Sequence, residues 1–266
     1  MGWMAPVPHL FARLQRLAVM TALIVSAGVA AIAYGPAIAD AARVHVLGAG
    51  PSQKPTCPNA DDACFVEARV TGFQITMGKT KKPFVAKVPG RVVAWSIKLG
   101  RPSSKDNRCF SNGCTVGNSE FAGFGGPARA RLAILKPNKK KFKQGRAVYK
   151  LLRQTPVEDL APFFGTTTTF TLQKPLKIAK GQIAALTIPT WAPVFVGGLN
   201  SRFGWRASRN PTKKRGGCTV GKGANQSANI RAGSPHQGVG KDRRYACVYK
   251  TNRLLYSVTM AQRPAG

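Results

Sequence analysis

Val93-Ala-Trp-Ser-Ile-Lys-Leu99 sets large apolar residues against small or polar ones, and Arg129-Ala-Arg-Leu-Ala-Ile134 repeats that period of two. A strand turns successive side chains to opposite faces, so this period marks half-buried strands with one face on a core. Val66, Ala68 and Val70 alternate in the same way with Glu67 and Arg69. Residues 147–153 put Tyr149 and Leu151 on one face, and residues 166–174 point Phe170 and Leu172 inward and threonines outward. Residues 183–188, 202–207, 245–250 and 254–260 complete the strand candidates. Pro89-Gly90, Lys136-Pro-Asn138, Gln144-Gly145 and Lys180-Gly181 divide them as turns. No long run with helical spacing occurs beyond the first 39 residues. Many short strands separated by turns predict an all-β chain. At this length the expected solution is a single antiparallel β-sandwich, jelly-roll-like, over residues 64–266.

Residues 40–63 lack periodicity and are expected to be a flexible lead. Two connections are too long for turns, Arg101 to Pro127 and Ser208 to Arg244, both rich in Gly, Ser, Asn and basic residues. Connections of that length are functional or disordered. They share a short echo, Asn112-Gly-Cys-Thr-Val-Gly-Asn118 and Gly216-Gly-Cys-Thr-Val-Gly-Lys222, with no fixed period around it.

Residues 1–39 have the three parts of a signal peptide. Arg13 and Arg16 precede an apolar run from Leu17 to Ala33, and Ala37-Ile-Ala39 offers small side chains for cleavage. The mature chain is then expected to begin near Asp40 and to be secreted or held at the cell envelope. The alternative is an uncleaved signal anchor in the membrane.

Six cysteines follow the leader: Cys57, Cys64, Cys109, Cys114, Cys218 and Cys247. An even number in an exported chain predicts disulfides that staple both long loops. Spacing alone does not choose among the pairings, though nearness favours 57 with 64, 109 with 114 and 218 with 247. Asn112-Gly113 can turn the chain between the middle pair. Zinc is the competing reading, but no Cys-x-x-Cys pair exists and only His45 and His236 remain after the leader, so no metal is expected.

Charge is the compositional outlier. The 266 residues carry 41 Lys+Arg against 9 Asp+Glu, a formal net charge of +32. Such an excess favours polyanionic partners without bearing on fold. It is densest at Lys79-Thr-Lys81-Lys82, at Lys139-Lys140-Lys141-Phe-Lys143 in a strand-to-strand connection, and at Lys213-Lys214-Arg215 in the second long loop. These clusters have no acid nearby, whereas ordinary surfaces interleave the two signs. The bland alternative is a solvated face. No nucleic-acid-reading motif is present, so sequence-specific DNA or RNA binding is not expected.

The order Pro89-Gly-Arg-Val-Val-Ala-Trp-Ser-Ile-Lys98, Arg131-Leu-Ala-Ile-Leu-Lys-Pro137, Thr169-Phe-Thr-Leu172 and Ile178-Ala-Lys-Gly-Gln-Ile-Ala-Ala-Leu186 resembles uncharacterised secreted β-sandwich proteins of soil bacteria. In those proteins a G-x-I-x-x-W strand precedes a V-x-A-G-D-x-I-G-L turn and strand. Here Gln182 stands for the turn's acid and Ala185 for its second glycine. The resemblance spans roughly residues 64–190. It implies a jelly-roll architecture like that of carbohydrate-binding or adhesive modules, and it carries no ligand with it.

Catalytic constellations are absent. Asp61-Asp62 and Glu158-Asp159 read as solvated turns rather than as a glycosidase pair. His236 sits in a Gly/Ser/Pro loop, and no Gly-x-Ser-x-Gly elbow occurs. Gly216-Gly-Cys-Thr-Val-Gly-Lys-Gly223 fits seven positions of a phosphate-binding loop but ends in glycine where a hydroxyl should hold magnesium. No cofactor is expected. Trp95 reads as core, whereas Trp191, at a strand exit, either packs over the end of the fold or stacks on a sugar ring. The expectation is therefore a non-enzymatic binding or adhesion module with a basic surface for an anionic polymer: wall polymer, acidic polysaccharide, anionic lipid or extracellular DNA. The alternatives are a self-assembling matrix protein and, behind it, a secreted carbohydrate-active hydrolase.

Overall fold

The computed structural model describes residues 43–50, 52–59, 61–116, 118–209, 218 and 237–262. The leader through Asp40, the 213–215 basic cluster, His236 and the 216–223 loop apart from Cys218 lie outside the described residues.

The chain is mostly β. It opens with β1 (Val44–Leu47), β2 (Glu67–Met77), β3 (Thr80–Lys81) and β4 (Gly90–Lys98). The first long connection holds α1 (Ser104–Asn112), β5 (Cys114–Val116) and β6 (Ser119–Phe121). Then come β7 (Arg129–Pro137), α2 (Lys139–Lys143), β8 (Val148–Gln154), β9 (Glu158–Asp159), β10 (Thr167–Ile178) and β11 (Ile183–Ala192). The last part contains β12 (Phe195–Val196), β13 (Gly204–Ala207), β14 (Asp242–Arg244), β15 (Cys247–Lys250), β16 (Arg253–Leu254) and β17 (Tyr256–Gln262).

Two antiparallel sheets dominate. The smaller runs β1-β17-β4-β10, and the larger runs β14-β8-β7-β11-β2-β13-β15 with β3 and β9 on its margins. Alternation places Trp95, Ile97, Val258 and Met260 of the small sheet in the same buried cluster as Val70, Leu132, Ile134 and Leu186 of the large one. Tyr256 links the sheets directly, donating from its hydroxyl to the Ala184 carbonyl at 3.1 Å. Central β11 is buried along its whole length, so it carries alanines and threonines rather than an alternating pattern. Its buried Thr187 hydroxyl bonds the Thr71 hydroxyl at 2.8 Å, which satisfies both. Gly72 of β2 allows Trp205 to lie across it, since a Cβ there would stand 2.6 Å from the indole.

The structure corrects several expectations. The supposed flexible lead supplies β1, in register with β17 from Val44↔Ala261 to Leu47↔Val258. Its inward residues are His45 and Leu47, while Val44 and Val46 face outward, 64% and 51% exposed. The first long loop is largely structured. Ser103 Oγ accepts the Asp106 N–H at 3.1 Å, and the Asp106 carboxylate accepts from the Ser103 N–H in return, a capping box that starts α1. The Lys139–Lys143 cluster is a short helix rather than a plain turn, capped by the Asn138 side chain, which accepts the Lys141 N–H at 3.2 Å.

All six cysteines are paired, Cys57–Cys64, Cys109–Cys114 and Cys218–Cys247. Three disulfides mark a chain that matures in an oxidising environment. No helix among the described residues is long and apolar enough to cross a membrane.

Candidate functional site

Strand direction decides where the basic clusters meet. β11 runs antiparallel to β7 with Ile183 opposite Leu135, and antiparallel to β2 with Leu186 opposite Gly72. The end of β7, the start of β11 and the end of β2 therefore share one end of the large sheet. The β2–β3 hairpin brings Lys79, Lys81 and Lys82 there, all exposed. The β7–β8 connection adds Lys139, Lys140 and Lys143, exposed on α2, with Lys141 half-buried. Sequence clustering finds these residues, and strand direction places both groups at the same end of the large sheet.

Other cations at the same end each stand alone in the sequence, so clustering does not find them. Lys136 is the next-to-last residue of β7, Lys180 sits in the turn into β11, and Lys250 lies opposite Gly204, itself opposite Thr76 of β2. The signal that finds them is parity: in antiparallel strands, alternate connections return to the same end.

A cavity of about 340 Å³ opens beside α2 between Lys136, Lys139, Lys150 and Asp242. Asn138 Nδ2 donates to Asp242 Oδ2 at 2.6 Å, so the residue that caps α2 also holds the single carboxylate at this end among the described residues. Every other carboxylate among the described residues lies toward the opposite end. Glu158 and Asp159 pair with the start of β7, where Arg129 bonds Asp159 at 2.7 Å. Glu67 opens β2, Asp61 and Asp62 lie between Cys57 and Cys64, and Asp106 and Glu120 belong to the α1–β6 segment. That segment packs on the end of β11 through Phe110 and Trp191, ring centroids 5.1 Å apart. The described carboxylates, Asp242 apart, thus lie toward the end of the large sheet away from the lysine clusters, whereas cations occur at both ends.

The opposite end contains a buried ion pair. Arg209 Nη2 bonds Glu67 Oε2 at 3.1 Å and the Ala68 carbonyl at 3.0 Å, and Nη1 bonds the Tyr249 hydroxyl at 3.1 Å. Burial pushes the Glu67 carboxyl up, and the attraction of Arg209 offsets this only in part. Burial also disfavours the Arg209 cation, but Glu67 and Tyr249 outweigh that and hold it charged. The pair clips β2 to β15 around the exit of β13.

Trp191, the candidate for sugar stacking, is fully buried. Its Nε1 donates to the Gly126 carbonyl at 3.1 Å, and its ring meets Phe110 and Phe164. It belongs to the core, as do Trp95 and Trp205. His45 Nε2 lies 2.8 Å from Gln262 Oε1, a side-chain hydrogen bond between β1 and β17. No group of three or more potential metal-ligating side chains converges among the described residues. Compared with family models, curated proteins and solved structures, the chain matches none.

Proposed function

We propose that this chain is a non-enzymatic binding module, exported by its leader and matured near Asp40, whose jelly-roll-like sandwich presents one basic end to an anionic polymer. The observation that carries the reading is the segregation of the described carboxylates away from the lysine clusters. Lysines from separate connections lie at one end of the large sheet, where Asp242 is the one carboxylate among the described residues, and the remaining described carboxylates lie away from it. A surface evolved for solubility alone has no reason to keep its carboxylates away from one strand end. A polyanion approaching the basic end meets a concentrated positive field, and its release of counterions makes binding salt-dependent. The lysines are flexible point charges rather than planar forks, which suits a repeating charged backbone better than a single shaped group.

The test replaces Lys139, Lys140, Lys141 and Lys143 together with Gln. Affinity for a wall-type phosphodiester polymer or DNA should fall, while the thermal midpoint stays close to wild type, because the sites are on a connection with no buried residue. With DNA as the ligand, the slope of log affinity against log salt should shrink by about 0.7 to 0.9 for each phosphate that the variant no longer neutralises. Unchanged affinity and slope would reduce this cluster to a solvated face.

A further inference from the structure

A second cavity, of about 270 Å³, lies where β10 turns into β11 and is lined in part by Arg91, Arg153, Lys177 and Gln182. Its position follows from pairing. Lys177 and Arg91 are direct partners in the β10–β4 ladder, so their Cα atoms face each other across two strands of the small sheet. Arg153 comes from β8 of the large sheet, and its Nη1 donates to the Lys177 carbonyl at 3.2 Å, covering the outer edge of β10. The cavity therefore joins the two sheets and draws one cation from each of three strands.

No carboxylate of the described residues lines it. Among the described residues, Arg91 and Lys177 make no side-chain hydrogen bond or ion pair, and Arg153 uses one of its five N–H donors. Three cations gathered without a counter-charge among the described residues repel one another, and a single bound anion removes that repulsion for all three at once. A carboxylate or a phosphodiester brings one negative charge. A phosphomonoester brings close to two charges above its second pKa of about 6, with three strong acceptor oxygens. Guanidinium forks match those oxygens in pairs, and an ammonium adds a point charge. The cavity is smaller than the usual range for drug-sized ligands, about 300–1,000 Å³, which suits one phosphate and the few atoms that carry it.

We propose that this corner cavity binds the dianionic phosphate of a phosphomonoester, either the end group of the polymer inferred above or a free small phosphoester. The site deepens the polyanion reading and rests on it only for the first of those two sources. The ligand's second ionisation, at about pH 6, is the step that changes its charge from one to two.

The probe is glycerol phosphate, titrated by calorimetry at low ionic strength. One molecule should bind per chain at pH 7.5, and affinity should fall about tenfold by pH 5.0 as the dianion is lost. Inorganic sulfate, doubly charged throughout, should keep its affinity between the two pH values. The double variant Arg91→Gln/Lys177→Gln should bind glycerol phosphate at least tenfold more weakly. The Lys139–Lys143 variant should bind it as the wild type does. If the double variant fails to fold, the side-chain Nε–Hε resonance of Arg153 in the wild type decides: it should shift on saturation. No binding, affinity equal in the double variant, or a silent Arg153 resonance would overturn the site. Capture of polymer without binding of glycerol phosphate would sink the cavity alone, and the reverse would sink the polymer reading alone. Polymer with and without its terminal phosphate separates the two sources, since only a polymer-end site loses affinity on dephosphorylation.

Discussion

Replacing Arg209 with Met should destabilise the folded chain by about 3 to 5 kcal/mol at pH 7, because it leaves Glu67 buried without its cation. The pair is nearly closed to solvent, with side-chain exposures of 10% for Arg209 and 13% for Glu67, so little screening softens the loss. The deficit should shrink as pH falls from 7 toward 5. Burial already raises the Glu67 carboxyl in the folded state, and without Arg209 nothing pulls it back. The folded variant then takes up a proton at a pH where the unfolded chain is still ionised, so stability returns as pH drops through the raised value. The double replacement Glu67→Met/Arg209→Met should recover most of the loss. Urea unfolding at pH 7 and pH 5 measures all of this, and an Arg209→Met deficit that stays constant with pH would show that Glu67 is not its source.

Trp191→Ala should cost about 3 to 5 kcal/mol, the range for emptying a large aromatic site in a core. The indole is fully buried, bonded to Gly126 and bracketed by Phe110 and Phe164, so its removal opens a cavity between β11 and α1. Trp191→Phe keeps most of the volume and loses only the N–H donor, so it should cost less. Denaturant midpoints for the two variants check the ordering. A Trp191→Ala chain as stable as wild type would place the ring outside the core and return it to the surface as a sugar-stacking candidate.

Period-two alternation locates β4, β7, β8 and the first part of β10 because each has one covered face, and the sequence shows that face directly. β1 escapes it for the opposite reason. Its valines point outward and its inward pair is His45 and Leu47, so the residue types mislead. α1 is too short for helical periodicity to show, although Ser103 and Asp106 stand at capping-box spacing. Trp191 could not be assigned from its neighbours, since what buries it is Phe110, far away in the chain. The lysine runs of the candidate site are visible as composition. Their union at one end depends on strand direction and register, and so does the meeting of Arg91, Arg153 and Lys177, none of which belongs to a run.

If the basic end is the polyanion surface proposed above, the position of charge rather than its total decides affinity, and two charge-matched triple variants separate the two. One replaces Lys139, Lys140 and Lys143 with Gln at the basic end, and the other replaces Arg101, Lys105 and Arg108 near the opposite end, all six residues being exposed. Both lose three positive charges, so a purely net-charge effect weakens them equally. Equilibrium binding to a phosphodiester polymer at two salt concentrations should show reduced affinity and a shallower salt slope for the first variant, with near wild-type values for the second. Equal losses in both, or a greater loss in the second, would contradict the account.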